Sequence, residues 1–208
     1  MNAHTETLLL TGPAGRVELA IDRPAVAPVG TAVIAHPHPL FGGTLHNKVV
    51  QTLARAFVQC GWTAVRFNFR GVGQSQGLHD NGVGETDDLL AVIEAQAATG
   101  PLALAGFSFG AFVTCQAMVR LHAAQRSPQT AILVGTAASR FQVPPLPADL
   151  HPRTLVVHGE QDDTVPLNAV LDWARPQTLP VTVIPGVEHF FHGQLPVLKQ
   201  LAVRHLGG

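Results

Sequence analysis

Within Gly106-Phe107-Ser108-Phe109-Gly110, a serine stands between two glycines, just after the apolar run Leu102 to Ala105 and just before a segment of helical period. A chain that leaves a strand, turns sharply at a serine and enters a helix holds that hydroxyl on a strained corner. Glycines two residues to either side let strand and helix approach without colliding Cβ atoms, and Ala111 keeps the contact small. Ser108 is therefore a candidate nucleophile for acyl transfer, with an ordinary Gly-rich turn as the structural alternative. A hydroxyl attacks well only when an imidazole removes its proton, and the imidazole needs a carboxylate to hold its tautomer and stabilise its cation. Two later segments contain such groups. His158-Gly159-Glu160-Gln161-Asp162-Asp163-Thr164-Val165-Pro166 follows the run Thr154 to Val157, and Pro185-Gly186-Val187-Glu188-His189-Phe190-Phe191, with His192 beyond it, follows Val181 to Ile184.

Elements of definite kind must bring these groups together. Strand-like runs at Thr31 to Ala35, Thr63 to Phe69, Leu102 to Phe107, Ala131 to Val134, Thr154 to His158 and Val181 to Ile184 alternate with helical segments. The helices are expected near His46 to Cys60, Glu85 to Ala98, Gly110 to Ala123, Leu167 to Ala174 and Leu195 to His205. Such alternation predicts an α/β fold, a mostly parallel sheet with helices on both faces, and open sheets of this kind bind ligands at the carboxyl ends of their strands. Thr7 to Leu10 and Val17 to Ile21 flank the turn-like Gly12-Pro13-Ala14-Gly15 and predict an antiparallel hairpin at one edge. The stretch Thr136 to Arg153, with Pro144, Pro145, Pro147 and Pro152, reads as an ordered loop with no room for a cap domain. One domain spanning residues 1–208 is expected.

The chain order Ser, Asp, His, with H-G-x-x-D-x-x-V-P and G-x-x-H-F-F around the last two, resembles the α/β-hydrolase superfamily. That likeness implies Asp162 as the acid, Asp163 as its solvated neighbour and His189 as the base, with His192 the competing base and a solvated turn the alternative for Asp162. His36-Pro37-His38-Pro39, Asn47-Lys48 and Phe67-Asn68-Phe69-Arg70-Gly71-Val72-Gly73-Gln74-Ser75-Gln76-Gly77 resemble small lidless bacterial members related to dienelactone hydrolase, over roughly Thr31 to Leu195. Ser108 stands where dienelactone hydrolase itself has cysteine, so the resemblance does not carry a lactone substrate with it.

A tetrahedral intermediate requires two backbone N–H donors, one from the residue after the nucleophile, here Phe109. The second is expected from His36 to Gly43. Pro37 and Pro39 have no N–H, so Leu40 is the first choice, with Phe41 and His38 behind it. His36 and His38 lack a third ligand nearby in sequence and are not read as a metal pair; no metal or cofactor is expected. Gly71 and Gly73 lack both the Lys-Ser/Thr of a phosphate loop and the full dinucleotide fingerprint, and read as turn glycines. Phe41, Phe107, Phe109, Phe190 and Phe191 fall beside the proposed catalytic positions, and Phe41, Phe107 and Phe190 above all are expected to line an apolar substrate pocket, with core packing the alternative for each. No cationic cluster accompanies them in sequence, which favours neutral esters over phosphate-bearing or acyl-CoA substrates.

Composition narrows the partners. Apolar residues make up 46% and charged residues 13%, and Lys plus Arg number 13 against 14 Asp plus Glu, with neither sign concentrated. That is core-rich and opposes disorder, a nucleic-acid footprint or a polybasic membrane patch. A small-molecule ester is the expected partner, and oligomeric state is not readable. Met1 to Gly12 has only Leu8, Leu9 and Leu10 as an apolar run, so a cytoplasmic location is expected. Cys60 and Cys115 are too few for a disulfide framework and read as free thiols. The reading is a serine hydrolase cleaving small carboxylic esters through an acyl-enzyme. The alternatives are amide, peptide or thioester cleavage by the same three groups, or a non-catalytic binding protein on this fold.

Overall fold

The computed structural model describes residues 5–207. Met1 to His4, the head of the segment Met1 to Gly12 on which a cytoplasmic location is expected, lie outside them, as does Gly208. Eight strands form one sheet: β1 (Glu6–Gly12), β2 (Gly15–Asp22), β3 (Thr31–Ala35), β4 (Thr63–Phe67), β5 (Leu102–Phe107), β6 (Thr130–Val134), β7 (Thr154–Gly159) and β8 (Thr182–Ile184), in the order β1-β2-β4-β3-β5-β6-β7-β8. β1 pairs β2 and β2 pairs β4 antiparallel; every other pairing is parallel. This is the α/β-hydrolase architecture, with the expected hairpin at one edge.

The central strands are apolar on both faces because helices cover both. Val33, Leu104 and Leu133 point into one layer, packed by α2 (Val83–Gln96), α3 (Phe109–Ala123) and α4 (Leu167–Ala174). Their neighbours Ile34, Ala105 and Ile132 point into the other, packed by α1 (Lys48–Gln59) and α5 (Leu195–His205). α1 begins where Asn47 Oδ1 accepts the amide protons of Val49 and Val50. α2 begins where the Glu85 carboxylate accepts the Gly82 amide proton.

β4 stops at Phe67, two residues short of the expected Phe69. The Asn68 amide still donates to Glu18, but the Phe69 amide leaves the sheet and donates to His36 Nε2 at 3.0 Å. α3 begins one residue early, directly on Ser108. The stretch 136–153 is a loop closed by a 3₁₀ turn, Ala148–Arg153, that plugs Leu150 into the core, and it forms no cap. Among the described residues no helix is long and apolar enough to cross a membrane.

Phe57, fully buried on α1, lies with Trp62 in the layer that α1 and α5 share. Phe57→Ala is expected to lower unfolding stability by about 3 to 5 kcal/mol, the usual effect of an uncollapsed cavity of that size. Urea titration followed by far-UV circular dichroism should show the midpoint falling with little change in slope.

Candidate active site

At the carboxyl end of β5 the chain turns into α3 through Ser108, whose backbone sits at φ 57°, ψ −117°, a conformation that side chains other than glycine's rarely adopt. Two glycines make the turn possible. A Cβ on Gly106 would lie 2.3 Å from the Gly110 carbonyl oxygen, and one on Gly110 would lie 2.5 Å from the carbonyl oxygens of Ala35 and His36. The first turn of α3 thus presses against the end of β3 as well as on β5.

Ser108 Oγ lies 3.0 Å from His189 Nε2, and His189 Nδ1 lies 2.6 Å from Asp162 Oδ2. All three side chains are nearly buried. The other Asp162 oxygen accepts the amide protons of Thr164 (3.0 Å) and Val165 (2.7 Å), so the carboxylate is held by backbone before the imidazole reaches it. An Nδ1–H pointed at Asp162 leaves Nε2 as an acceptor for the serine proton. Asp163 is exposed one residue on, and His192 stands in solvent with Nδ1 2.9 Å from Glu188. The structure therefore brings together Ser108, Asp162 and His189, and leaves Asp163 and His192 outside.

Two expectations are corrected. Leu40 is not free to hold an oxyanion: its amide donates to His38 Nδ1 at 3.2 Å within the short 3₁₀ turn Pro39–Phe41, and its side chain points to solvent. The Phe41 amide is also taken, by the His38 carbonyl. The His38 amide has no acceptor among the described residues, nor has that of Phe109, and both residues border the same cleft as Ser108. Phe191, fully buried in the α1/α5 layer, does not line that cleft, and neither does Phe107. Strand alternation sends its ring, fully buried, into the α1/α5 layer, where it backs His189 at 4.9 Å between ring centres.

Phe41 and Phe190, by contrast, stand at the cleft mouth, 79% and 43% exposed. The cleft has a volume of about 320 Å³ and no cap over it. Sequence reasoning missed Asn47, Phe141 and Arg140, which also border it. Arg140 and Phe141 lie in the proline-rich loop, where no periodicity points to a pocket. It also missed His79, whose ring packs 4.8 Å from that of His38 and beside the buried Glu85.

The run around Asn68 braces the site. Asn68 Oδ1 accepts the Leu45 amide proton, its Nδ2 donates to Glu18, and Arg70 forks onto buried Asp88 through Nε and Nη2 at 2.9 Å each. With His36, these contacts fix the loop from His36 to Gly43 beside Ser108.

Comparison with known proteins agrees with this geometry. The family described as serine aminopeptidase, S33, matches residues 27–153. The chain belongs to that family, within the α/β-hydrolase superfamily. A lidless α/β serine hydrolase from Xanthomonas campestris is 38% identical, with a TM-score of 0.85, covering 100% of this chain and 95% of the other. An α/β serine hydrolase homologue from Coxiella burnetii is 41% identical, with a TM-score of 0.83 and 97% of each chain covered. An uncharacterized protein of Rickettsia prowazekii (strain Madrid E) is 32% identical over 199 residues, 88% of this chain and 81% of that one. The hydrolase is thus an α/β serine hydrolase.

Buried His36 gives the site a pH limit. Its Nε2 accepts from Phe69, its Nδ1 lies 2.6 Å from the Pro37 carbonyl oxygen, and burial pushes its pKa down to about 3. Burial lowers His158 and His205 as well. A histidine kept neutral in the fold but protonated when unfolded adds stability that is full above about pH 6.5 and is lost as pH falls toward the folded value, by up to about 1.4 kcal/mol per unit. Denaturation between pH 7.5 and pH 4 should show a steep loss in the wild type. His36→Gln, weaker at neutral pH, should lose less over the same range.

Proposed function

We propose that this hydrolase cleaves small carboxylic esters through an acyl-enzyme, without a cofactor. The observation that carries the reading is the buried line of Asp162, His189 and Ser108, set at a strained strand-to-helix corner. Ser108 Oγ attacks the carbonyl carbon while its proton passes to His189 Nε2. Asp162 stabilises the imidazolium, and the amides of Phe109 and His38 receive the oxyanion. The carbon–oxygen ester bond then breaks, and the alcohol departs with the proton from His189. Water, activated by the same imidazole, releases the acid and restores Ser108.

Aminopeptidase action is the second reading, favoured by the description of the matching family. Recognition of a peptide's free amino terminus calls for a carboxylate to meet the ammonium group. Among the described residues none borders this cleft, where Asp162 lies behind His189, whereas Arg140 does. The charge lining the cleft suits an ester better than an amino-terminal peptide.

Ser108→Ala is expected to fold as the wild type and to lose about 10⁴ to 10⁶ in kcat, because such groups act as a unit. A fluorophosphonate probe should add one mass increment to the wild type, at Ser108, and none to the variant; labelling without turnover of any ester, thioester or anilide would favour a binding role. Across p-nitrophenyl esters, kcat/KM is expected to peak at roughly two to six acyl carbons. Each methylene adds about 0.8 kcal/mol only while it is desolvated, and an uncapped cleft of this volume cannot enclose a longer chain. Steady-state rates from acetate to laurate test this, and a steady rise to about twelve carbons would overturn the open-cleft reading.

A further inference from the structure

The cleft has two unlike walls. One carries His189 and Phe190, whose rings lie 5.1 Å apart edge to face. The other is a ring cluster: His38 packs 4.7 Å from Phe41 and 4.9 Å from Phe109, and Phe141 lies 5.2 Å from Phe109. Arg140 borders the cleft on this second side, next in sequence to Phe141. Its guanidinium has no carboxylate partner among the described residues, and the cleft lining contains no acidic side chain. The other arginines near the sheet are differently placed: Arg66 is paired with Asp22 and Arg70 with Asp88, both as part of the core. Burial, helped by His79 and Arg140 and opposed by Glu85, holds His38 below the usual histidine range. With Leu40 donating to its Nδ1, the ring hydrogen sits on Nε2.

The chemistry of the ester assigns the two walls. His189 Nε2 must hand its proton to the departing alcohol, so the alcohol lies along His189 and Phe190. The carbonyl oxygen points to the Phe109 amide, and the acyl chain takes the remaining direction, along the wall where Phe141 is half-buried. Arg140, next in sequence to Phe141, borders the same side of the cleft.

We propose that the substrate is a monoester of a short dicarboxylic acid, whose methylenes rest on the half-buried Phe141 and whose free carboxylate is received by Arg140. The planar guanidinium fork suits a carboxylate in a two-point hydrogen-bonded geometry that lysine cannot copy. Because Arg140 is exposed, the attraction is open to screening by salt. This inference rests on the ester reading and adds to it the class of acid.

The experiment compares 4-nitrophenyl hemiadipate with 4-nitrophenyl hexanoate, six-carbon acyl chains that differ at the far end. The quantity read is the quotient of their kcat/KM values, in which a general folding defect cancels. At low ionic strength the wild-type quotient is expected to be about ten or more, equivalent to about 1.4 kcal/mol, and to shrink at about 0.5 M salt. Arg140→Gln should bring it to about one, Arg140→Lys to an intermediate value, and Arg140→Glu below one. A parallel pair, the hexanoate esters of 4-hydroxybenzoate and 4-hydroxybenzamide, places the charge on the alcohol and should give a quotient near or below one. Hydrolysis of both acyl-series esters with a wild-type quotient at or below one overturns the inference while the ester reading stands. So does an unchanged quotient in Arg140→Gln, or a preference confined to the alcohol-side charge. Turnover of neither ester overturns the ester reading, and this inference with it.

Discussion

The close approach of Gly106 to Gly110 at the end of β5 is the contact on which the rest of the structure depends. It forces Ser108 into a backbone region that costs of order 1 to 3 kcal/mol for a residue with a side chain. The surrounding fold over-determines that conformation. The Ser108 amide donates to the Val134 carbonyl on β6, and the Ser108 carbonyl accepts from Ala111 and Phe112 as α3 begins. β3, pressed by Gly110, cannot move away without opening the parallel sheet. The strain is held by the most buried strands of the molecule, and it leaves the Phe109 amide at the head of α3 without an internal acceptor.

The same contact explains the spread of bracing residues through the sequence. Because α3 leans on the end of β3, the loop that follows β3 must be placed as accurately as the elbow. His36 does this from inside by accepting the Phe69 amide, and Asn68 from below by accepting the Leu45 amide. Glu18 on β2, in turn, accepts from Asn68 and from the Gln74 backbone. The antiparallel hairpin at the sheet edge, remote from any chemistry, is thereby linked through Glu18 and Asn68 to the end of the loop that stands beside the nucleophile.

What the sequence made legible was what obeys local rules. The strand and helix periods, the hairpin and the Gly-x-Ser-x-Gly corner are each set by a few neighbouring residues, and the structure has them within a residue or two. Phe107 was readable too: it shares the parity of Ala103 and Ala105 on β5, so alternation alone sends it to the α1/α5 layer. Leu40 was not readable in the same way. Whether its amide is free depends on the rotamer of His38, two residues back, and a side chain capping a three-residue turn leaves no periodic trace. Arg140 was least legible of all, since its position follows from how a proline-rich loop crosses the end of the sheet and not from any pattern within that loop.

The acid end of the site shows how a fully buried carboxylate can be kept serviceable. Burying a charge is expensive unless its lone pairs are filled, and Asp162 fills them with two backbone amides and His189, while His158 Nε2 lies 3.4 Å away. His158 could compete for the charge. Its Nε2, however, donates to the Val165 carbonyl at 2.9 Å, its Nδ1 lies buried without a partner, and burial holds its pKa below the usual histidine range. A second proton there would be buried with no acceptor, so His158 stays neutral. In the mechanism proposed for this cleft, the negative charge of Asp162 is then matched by a positive charge only when His189 takes the proton of Ser108, which is the moment the ester bond is attacked.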